Sequence, residues 1–346
     1  MTGTSSSRAP SRLALLAPFA VLALIIAIHA AYWMVVSGQI RTQSQAWIAD
    51  KQSSGYQIAH DGLRVGGYPF RFVVTLDAPD IEAPLADGGW RARFDQAAAS
   101  AQFYNLNHWI VTLGQTGSLD TVIDGETARY ALSADEARLS LRAADGATQR
   151  LGAEVRNFAI AALEGPPPAV ARIERLVMTG FAGENDQLLA RIQTEGTVFD
   201  SSALEPGLRE AFGDTAQLFR LDAALSDFSA LARAGDPLAW TRAGGVLHVN
   251  QAQLDWGPAA LSGEGDLTLD DLLRPAGRLS VVVSDPESLI TALEAAGLVH
   301  DEQGAALRLA AMMAPRREAG IALPFRMQDG GLFLGPARIG EVGALD

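Results

Sequence analysis

From Leu13 to Val36 the chain reads LALLAPFAVLALIIAIHAAYWMVV, an apolar run without Asp, Glu, Lys or Arg. As a helix rising about 1.5 Å per residue it reaches roughly 36 Å, enough for a hydrocarbon core of about 30 Å. Arg8, Arg12 and the amino terminus precede the run, whereas Arg41 and Lys51, offset by Asp50, follow it. The positive-inside rule therefore sets residues 1–12 in the cytoplasm and the chain beyond 36 on the far side, which in a bacterium with two membranes is the periplasm. Tyr32 and Trp33 suit the outer interface. A secretory leader has a shorter apolar stretch, about 7 to 15 residues, ending in an A-x-A-like site. Here Ile28 and His29 stand two residues before Ala30 and Ala31 and fit that site poorly, so an uncleaved anchor is favoured. His29 reads as an interfacial residue rather than a proton relay.

Past the anchor, Gln39 to Gln52 lacks helix breakers and predicts a juxtamembrane helix within residues 37–55, stopped by Ser53, Ser54 and Gly55. From residue 56 the period changes. Phe70, Phe72, Val74 and Leu76 alternate with Arg71, Val73 and Thr75, and Leu261-Ser-Gly-Glu-Gly-Asp-Leu-Thr-Leu-Asp270 alternates dry and wet positions throughout. Similar runs recur at Trp90–Phe94, Asn107–Leu113, Ala137–Leu141, Val170–Phe181, Leu188–Val198, Val246–Leu254, Leu279–Val283 and Leu332–Ile339. They are separated by turn signals such as Asp87-Gly88-Gly89 and Asp329-Gly330-Gly331. Most of these connections are too short for crossovers, which disfavours a purely parallel sheet. The fold class is thus mainly β with a few helices, an N-terminal transmembrane helix followed by a large, curved, antiparallel meandering sheet able to form a groove.

Three helices interrupt the strands. Ser202-Ala203-Leu204-Glu205 has the form of a capping box opening a helix that stops at Gly213. Asp285-Pro286 starts a second helix, with Leu289, Ile290 and Leu293 on one side and Gly297 at its end. Asp301 begins a third, with Leu307, Leu309, Met312 and Met313 before Pro315. Their apolar stripes need a surface to cover, and the sheet face provides it. Gly165-Pro166-Pro167-Pro168 marks an internal boundary near 165–168 or a rigid turn within one β-rich domain spanning 56–346.

Composition narrows the chemistry. With 346 residues, 48% hydrophobic, a core is feasible without staples. The absence of cysteine removes disulfides, thiolate metal sites and cysteine nucleophiles. Net charge is −13, and beyond Gly38 the 25 basic residues face 40 acidic ones, so nucleic acid is not an expected partner. His29, His60, His108, His248 and His300 never approach metal-ligand spacing, and no HExxH, GxSxG, P-loop or calcium-loop pattern occurs. Gly263-x-Gly265 sits inside a strand pattern, Asp270-Asp271 reads as a solvated turn, and His248 as a hydrogen-bonded sheet residue. Catalytic, metal and cofactor sites are therefore expected to be none, and the chain is not expected to be an enzyme.

Two aromatic blocks carry a resemblance. Gly67-Tyr68-Pro69-Phe70-Arg71-Phe72 and Phe103-Tyr104-Asn105-Leu106-Asn107-His108-Trp109 resemble segments of a proteobacterial family of membrane-anchored envelope proteins known only as a domain of unknown function. Leu261 to Gly297, with Arg274-Pro275-x-Gly277-x-Leu279, and the closing Leu323-Pro324-Phe325 to Gly335-Pro336 are similar to the broader AsmA-like group. The resemblance implies a periplasmic sheet hung from the inner membrane; in the larger AsmA-like proteins such a sheet forms an apolar groove associated with lipid traffic. A sheet of 15 to 20 strands spans roughly 70–95 Å when open, too short to bridge the periplasm unaided. On this expectation Phe70, Phe72, Val74, Leu267 and Leu269 line a groove for phospholipid or another acyl ligand, with Met312 and Met313 at its edge. The competing expectation is a ligand-free scaffold that binds other envelope proteins. Periodicity reports which face is apolar and not what covers it.

Overall fold

The apolar run and the polar segment after it form one helix, α1 (Arg12–Ser53), with no break where anchor and juxtamembrane segment were expected to meet. A computed structural model describes residues 12–85, 88–123, 125–144, 147–234, 237–335 and 337–344. Apart from Arg12, the expected cytoplasmic stretch 1–12 lies outside the described residues, as do Asp87 and Pro336 of the turn and closing signals.

After α1 the chain forms a single antiparallel meander. Its first strands are β1 (Gln57–Ala59), β2 (Gly62–Gly66), β3 (Arg71–Asp77), β4 (Asp80–Glu82), β5 (Arg91–Phe94), β6 (Gln96–Gln102), β7 (Asn105–Leu113), β8 (Thr116–Ile123), β9 (Glu126–Ser133), β10 (Glu136–Ala144) and β11 (Ala147–Glu164). Chain continuity reduces these to six long strands. β1–β2, β3–β4, β5–β6, β7–β8 and β9–β10 are each interrupted by only one or two residues, and both halves keep the same neighbours. The interruptions align into a crease, where Asp61 N–H donates to the Asp77 carbonyl (2.9 Å), Ala78 N–H to Asp95 (3.0 Å) and Asp135 N–H to Arg156 (3.0 Å). Backbone groups thus stay satisfied while the sheet bends. Ala78 (φ +45°) and Asn157 (φ +49°), the latter donating to Asp135 Oδ2 at 2.6 Å, absorb the extra residue in their strands.

The meander continues through β12 (Val170–Ala182), β13 (Leu188–Phe199), β14 (Thr215–Leu225), β15 (Leu247–Trp256), β16 (Ala259–Leu269), β17 (Pro275–Val283), the two-residue β18 (Arg316–Arg317), β19 (Gly320–Gln328), β20 (Gly331–Leu334) and β21 (Ala337–Glu341). β17 pairs with β19, and β21 at the far edge pairs with β20 alone, so the sheet is not closed. The Gly165–Pro168 segment is the connection between β11 and β12, which pair with each other from Arg150↔Phe181 to Ala159↔Arg172.

Five shorter helices lie in the connections: α2 (Pro206–Phe212), α3 (Phe228–Ala234), α4 (Pro237–Arg242), α5 (Pro286–Ala295) and α6 (Asp301–Met313). Asp285 caps α5 by accepting from Ser288 N–H, as its sequence predicts. The expected box at Ser202 does not form. Asp200 takes the Ser202 backbone N–H (2.8 Å) and hydroxyl, and α2 starts later, with Glu205 at its cap and Pro206 in the first turn. α2, α5 and α6 pack on the last strands, where Phe212, Ala259 and Ala292 form one buried cluster and Val283, Leu323 and Leu334 another. Leu309, Met312 and Met313 of α6 face outward instead.

Candidate functional site

The register of the meander sorts the side chains. Residues directly opposite each other in an antiparallel pair project to the same face. One row therefore runs Phe72, Ala101, Trp109, Leu141, Leu151, Gly180, Ala190, Ala223, Val249, Gly265, Leu279, Phe325, Leu334. The next row runs Val74, Ala99, Val111, Leu139, Ala153, Met178, Ile192, Leu221, Ala252, Gly263, Val281, Leu323. The one polar side-chain atom in the two rows is the Trp109 indole nitrogen, whose N–H donates to the Leu106 carbonyl (2.8 Å). Leu267 and Leu269 extend the same face on β16, beyond Gly265.

The two ends of this face are covered. α1 lies against β1, β2 and β3, where Ile40, Ile48 and Ile58 are buried and Trp33 stacks on Phe72 at 5.6 Å between ring centroids. Phe72 is fully buried there and forms core rather than open groove. At the other end α5 and α6 roof a cavity of about 350 Å³. Its floor includes Leu261, Val281 and Phe325 and its roof Leu289, Leu293 and Leu307; the one side chain in its lining with polar atoms, Gln303, donates to the Ile339 carbonyl (3.2 Å).

Between these covers the face is open. Leu139, Leu141, Leu151, Met178 and Phe219, on β10, β11, β12 and β14, are 38–48% exposed. The crease adds depth. A hollow of about 190 Å³ is lined by Phe94 and Leu132 from one side of the bend and Leu113, Ala137 and Val155 from the other, with Phe158 at the bend itself. The apolar side is thus the inside of the fold line.

The opposite face is ionic. Glu154 on β11 meets Arg156 (2.9 Å) and Arg175 (3.4 Å), and Arg91 binds Asp80 through both oxygens (2.7 and 2.5 Å). The hydrogen bond from Arg156 holds the Glu154 carboxyl below the ordinary range, and Arg91 does the same for Asp80. Arg191 pairs with Asp222 farther along the same face. These charges keep one side of the sheet wet and leave the other to apolar contacts.

Of the residues proposed from sequence, Val74, Leu267 and Leu269 share the apolar face and are partly buried. Phe70 is off the face, on the β2–β3 turn, and Met312 and Met313 stand exposed at the end of α6; these three are not brought to the strip. The open centre was not picked out from sequence. Leu139, Leu141 and Met178 fall in runs with strand periodicity, but Leu151 and Phe219 lie in strands whose pattern is broken by Gly152 and by a bulge between Ala216 and Leu218.

The histidines have structural partners in four cases. His29 Nε2 donates to the Pro69 carbonyl (2.8 Å), His108 shares a hydrogen bond with Ser140 (2.9 Å), His248 bonds Asp266 (2.7 Å), and His300 caps α6 with Gln303. Asp270 is engaged by Arg274 (2.7 Å) in the turn after β16. Among the described residues no group of His, Asp and Glu is placed to hold a metal ion.

Residues 33–342 match the model of a family described as an uncharacterized protein conserved in bacteria (DUF2125), and the chain belongs to that family. The match takes in α1 from Trp33 onward and all the strands. No curated protein and no solved structure matches the chain.

Proposed function

We propose that this protein is a single-pass inner-membrane protein of the bacterial envelope, with its N-terminus in the cytoplasm and its sheet in the periplasm, that binds and handles phospholipid or another acyl ligand on the apolar face. The observation that carries this is the open stretch at Leu139, Leu141, Leu151, Met178 and Phe219, where leucine, methionine and phenylalanine side chains stay half in water across neighbouring strands. Scattered apolar residues on a surface need no explanation, but a continuous strip does. The AsmA-like rhythm of Leu261–Gly297 points the same way, since sheets of that group carry lipid-associated grooves. Binding, and not bond-making chemistry, is the role assigned. The apolar helix supplies the anchor: it is long and apolar enough to cross a membrane.

The test is photo-crosslinking in intact cells, with benzoylphenylalanine placed at Leu151 or Met178 on the strip and at Arg142 on the opposite face. Lipid adducts at the two strip positions and none at Arg142 are expected. Adducts to a protein at Leu151 and Met178 would instead identify a scaffold for another envelope protein, and no adduct at either would remove the groove.

A further inference from the structure

The two turns nearest the anchor differ from the others at the same end of the sheet. β1 and β2 run back down alongside α1, so that the β2–β3 turn meets the helix again at His29 and Trp33. His29 Nε2 donates to the Pro69 carbonyl (2.8 Å), Trp33 Nε1 to the Arg71 carbonyl (3.2 Å), and the Tyr32 hydroxyl lies 3.4 Å from the Phe103 carbonyl in the β6–β7 turn. Rings interlock at this level. His29 is 5.2 Å from Phe103 and Trp33 is 5.6 Å from Tyr68, centroid to centroid. Yet Phe70 and Tyr104, at the tips of the two turns, are 70% and 74% exposed. Among the described residues, later turns at this end carry acids: Glu184 and Asp186 between β12 and β13, and Asp270 and Asp271 beside an exposed Leu272 between β16 and β17.

Depth follows from helix geometry. His29 is seven residues before Val36, where the apolar run ends, so Pro69 sits roughly 10 Å along the axis inside that end. Aromatic side chains concentrate at that level of a bilayer, and amphipathic segments settle about 5–10 Å into it. We infer that the tips of the β2–β3 and β6–β7 turns, through Phe70 and Tyr104, are seated in the outer interface of the lipid bilayer that α1 spans. The lower row of the apolar face, from Phe72 through Trp109 to Leu141 and Leu151, then begins at the leaflet surface, which is where an acyl chain would enter. The inference rests on α1 being a membrane anchor and not on lipid binding by the strip.

The chain has no cysteine, so single cysteines can be introduced at will. Full-length Phe70→Cys, Tyr104→Cys, Asn185→Cys and Ile25→Cys variants, labelled with a nitrobenzoxadiazole fluorophore, are reconstituted into vesicles of phosphatidylethanolamine and phosphatidylglycerol. Spin-labelled phosphatidylcholine in the same vesicles is the quencher. Blue-shifted emission and loss of intensity at 70, 104 and 25, with neither at 185, is the expected result. Quenching at 25 but water-like emission at both 70 and 104 overturns the inference and leaves the anchor standing. Absence of quenching at 25 overturns both. Circular dichroism of each labelled protein identifies any variant that has not folded, and for such a tip Leu106→Cys takes its place.

Discussion

Replacing Leu151 by Asp separates an open strip from a closed core. Full burial of a leucine side chain is worth about 1.5–3 kcal/mol. At 48% exposure Leu151 gives up roughly half of that, about 0.8–1.5 kcal/mol, and the new carboxylate can stay in water, so no buried charge adds to the cost. Its cross-strand neighbours on the face are Leu141 and Gly180, which leave the new side chain room to turn outward. Phe72→Ala is the contrasting variant, because a fully buried ring stacked on Trp33 costs about 3–5 kcal/mol to remove. Thermal unfolding followed by near-ultraviolet circular dichroism should show Leu151→Asp melting within a few degrees of the parent and Phe72→Ala well below it. Native mass spectrometry of the same samples, released from lipid nanodiscs, should show bound phospholipid in the parent and its loss in Leu151→Asp. If Leu151→Asp unfolds like Phe72→Ala, the strip is core; if it folds and keeps its lipid, the strip is not where lipid sits.

Three further outcomes follow from the geometry. Gly277 holds φ +146°, and a Cβ there would lie 2.1 Å from the Asp266 carbonyl oxygen, so Gly277→Ala should lower stability by about 1–3 kcal/mol in urea titration, whereas Gly66→Ala, with open space around it, should cost less than about 1 kcal/mol. Ile290→Ala, which empties a buried position on α5, should cost about 2–4 kcal/mol, and an unchanged urea midpoint would show that α5 does not need its contact with the sheet. Asp80, Glu154 and Glu294 are held below the ordinary carboxylate range by hydrogen bonds from Arg91, Arg156 and Arg308. Their folded pKa values lie below the unfolded ones, so their contribution is complete above the unfolded values and is lost as the pH falls through the folded ones; the urea midpoint should therefore decline from about pH 4 downward, and less steeply in Arg91→Gln.

Much of the architecture was legible because period-2 alternation survives wherever one side of a strand is wet. β12, β13, β15 and β16 read directly from the sequence, and α5 from its Asp285-Pro286 start. β6 did not, because Gln96-Ala-Ala-Ala-Ser-Ala-Gln102 offers neither branched nor aromatic side chains, and its strand character comes from pairing with β3 and β7. The crease was invisible for a related reason: an inserted residue flips the parity of the pattern, as between Leu76 and Ile81, so that one long strand reads as two fragments. Exposure at the centre depends on which helices arrive over the sheet, a long-range fact that alternation does not encode. The stacked pair Trp33–Phe72 shows the same limit, since the two residues belong to different elements and meet only because β1 and β2 retrace α1.

The chemistry of the open strip favours an alkyl chain over a peptide. Along the uncovered part of the first row, from Leu141 through Leu151, Gly180 and Ala190 to Ala223, no side chain carries a donor or acceptor. A peptide laid in extended form on that row would bring backbone N–H and C=O groups against a surface that cannot satisfy them, at a cost of about 1–3 kcal/mol for each group left unpaired. A helical segment would avoid that cost but needs the width of a helix, about 10 Å. Small residues form the floor at the centre: Gly180, Ala190 and Ala223 lie in sequence along the row, flanked on the next row by Met178, Ile192 and Leu221. A floor of glycine and alanine beside a wall of longer side chains matches a single methylene chain, which carries no group that must be hydrogen-bonded. An apolar peptide helix that protects Leu151 and Met178 from labelling as well as lipid does would refute this, because it would show that the strip accommodates the width of a helix.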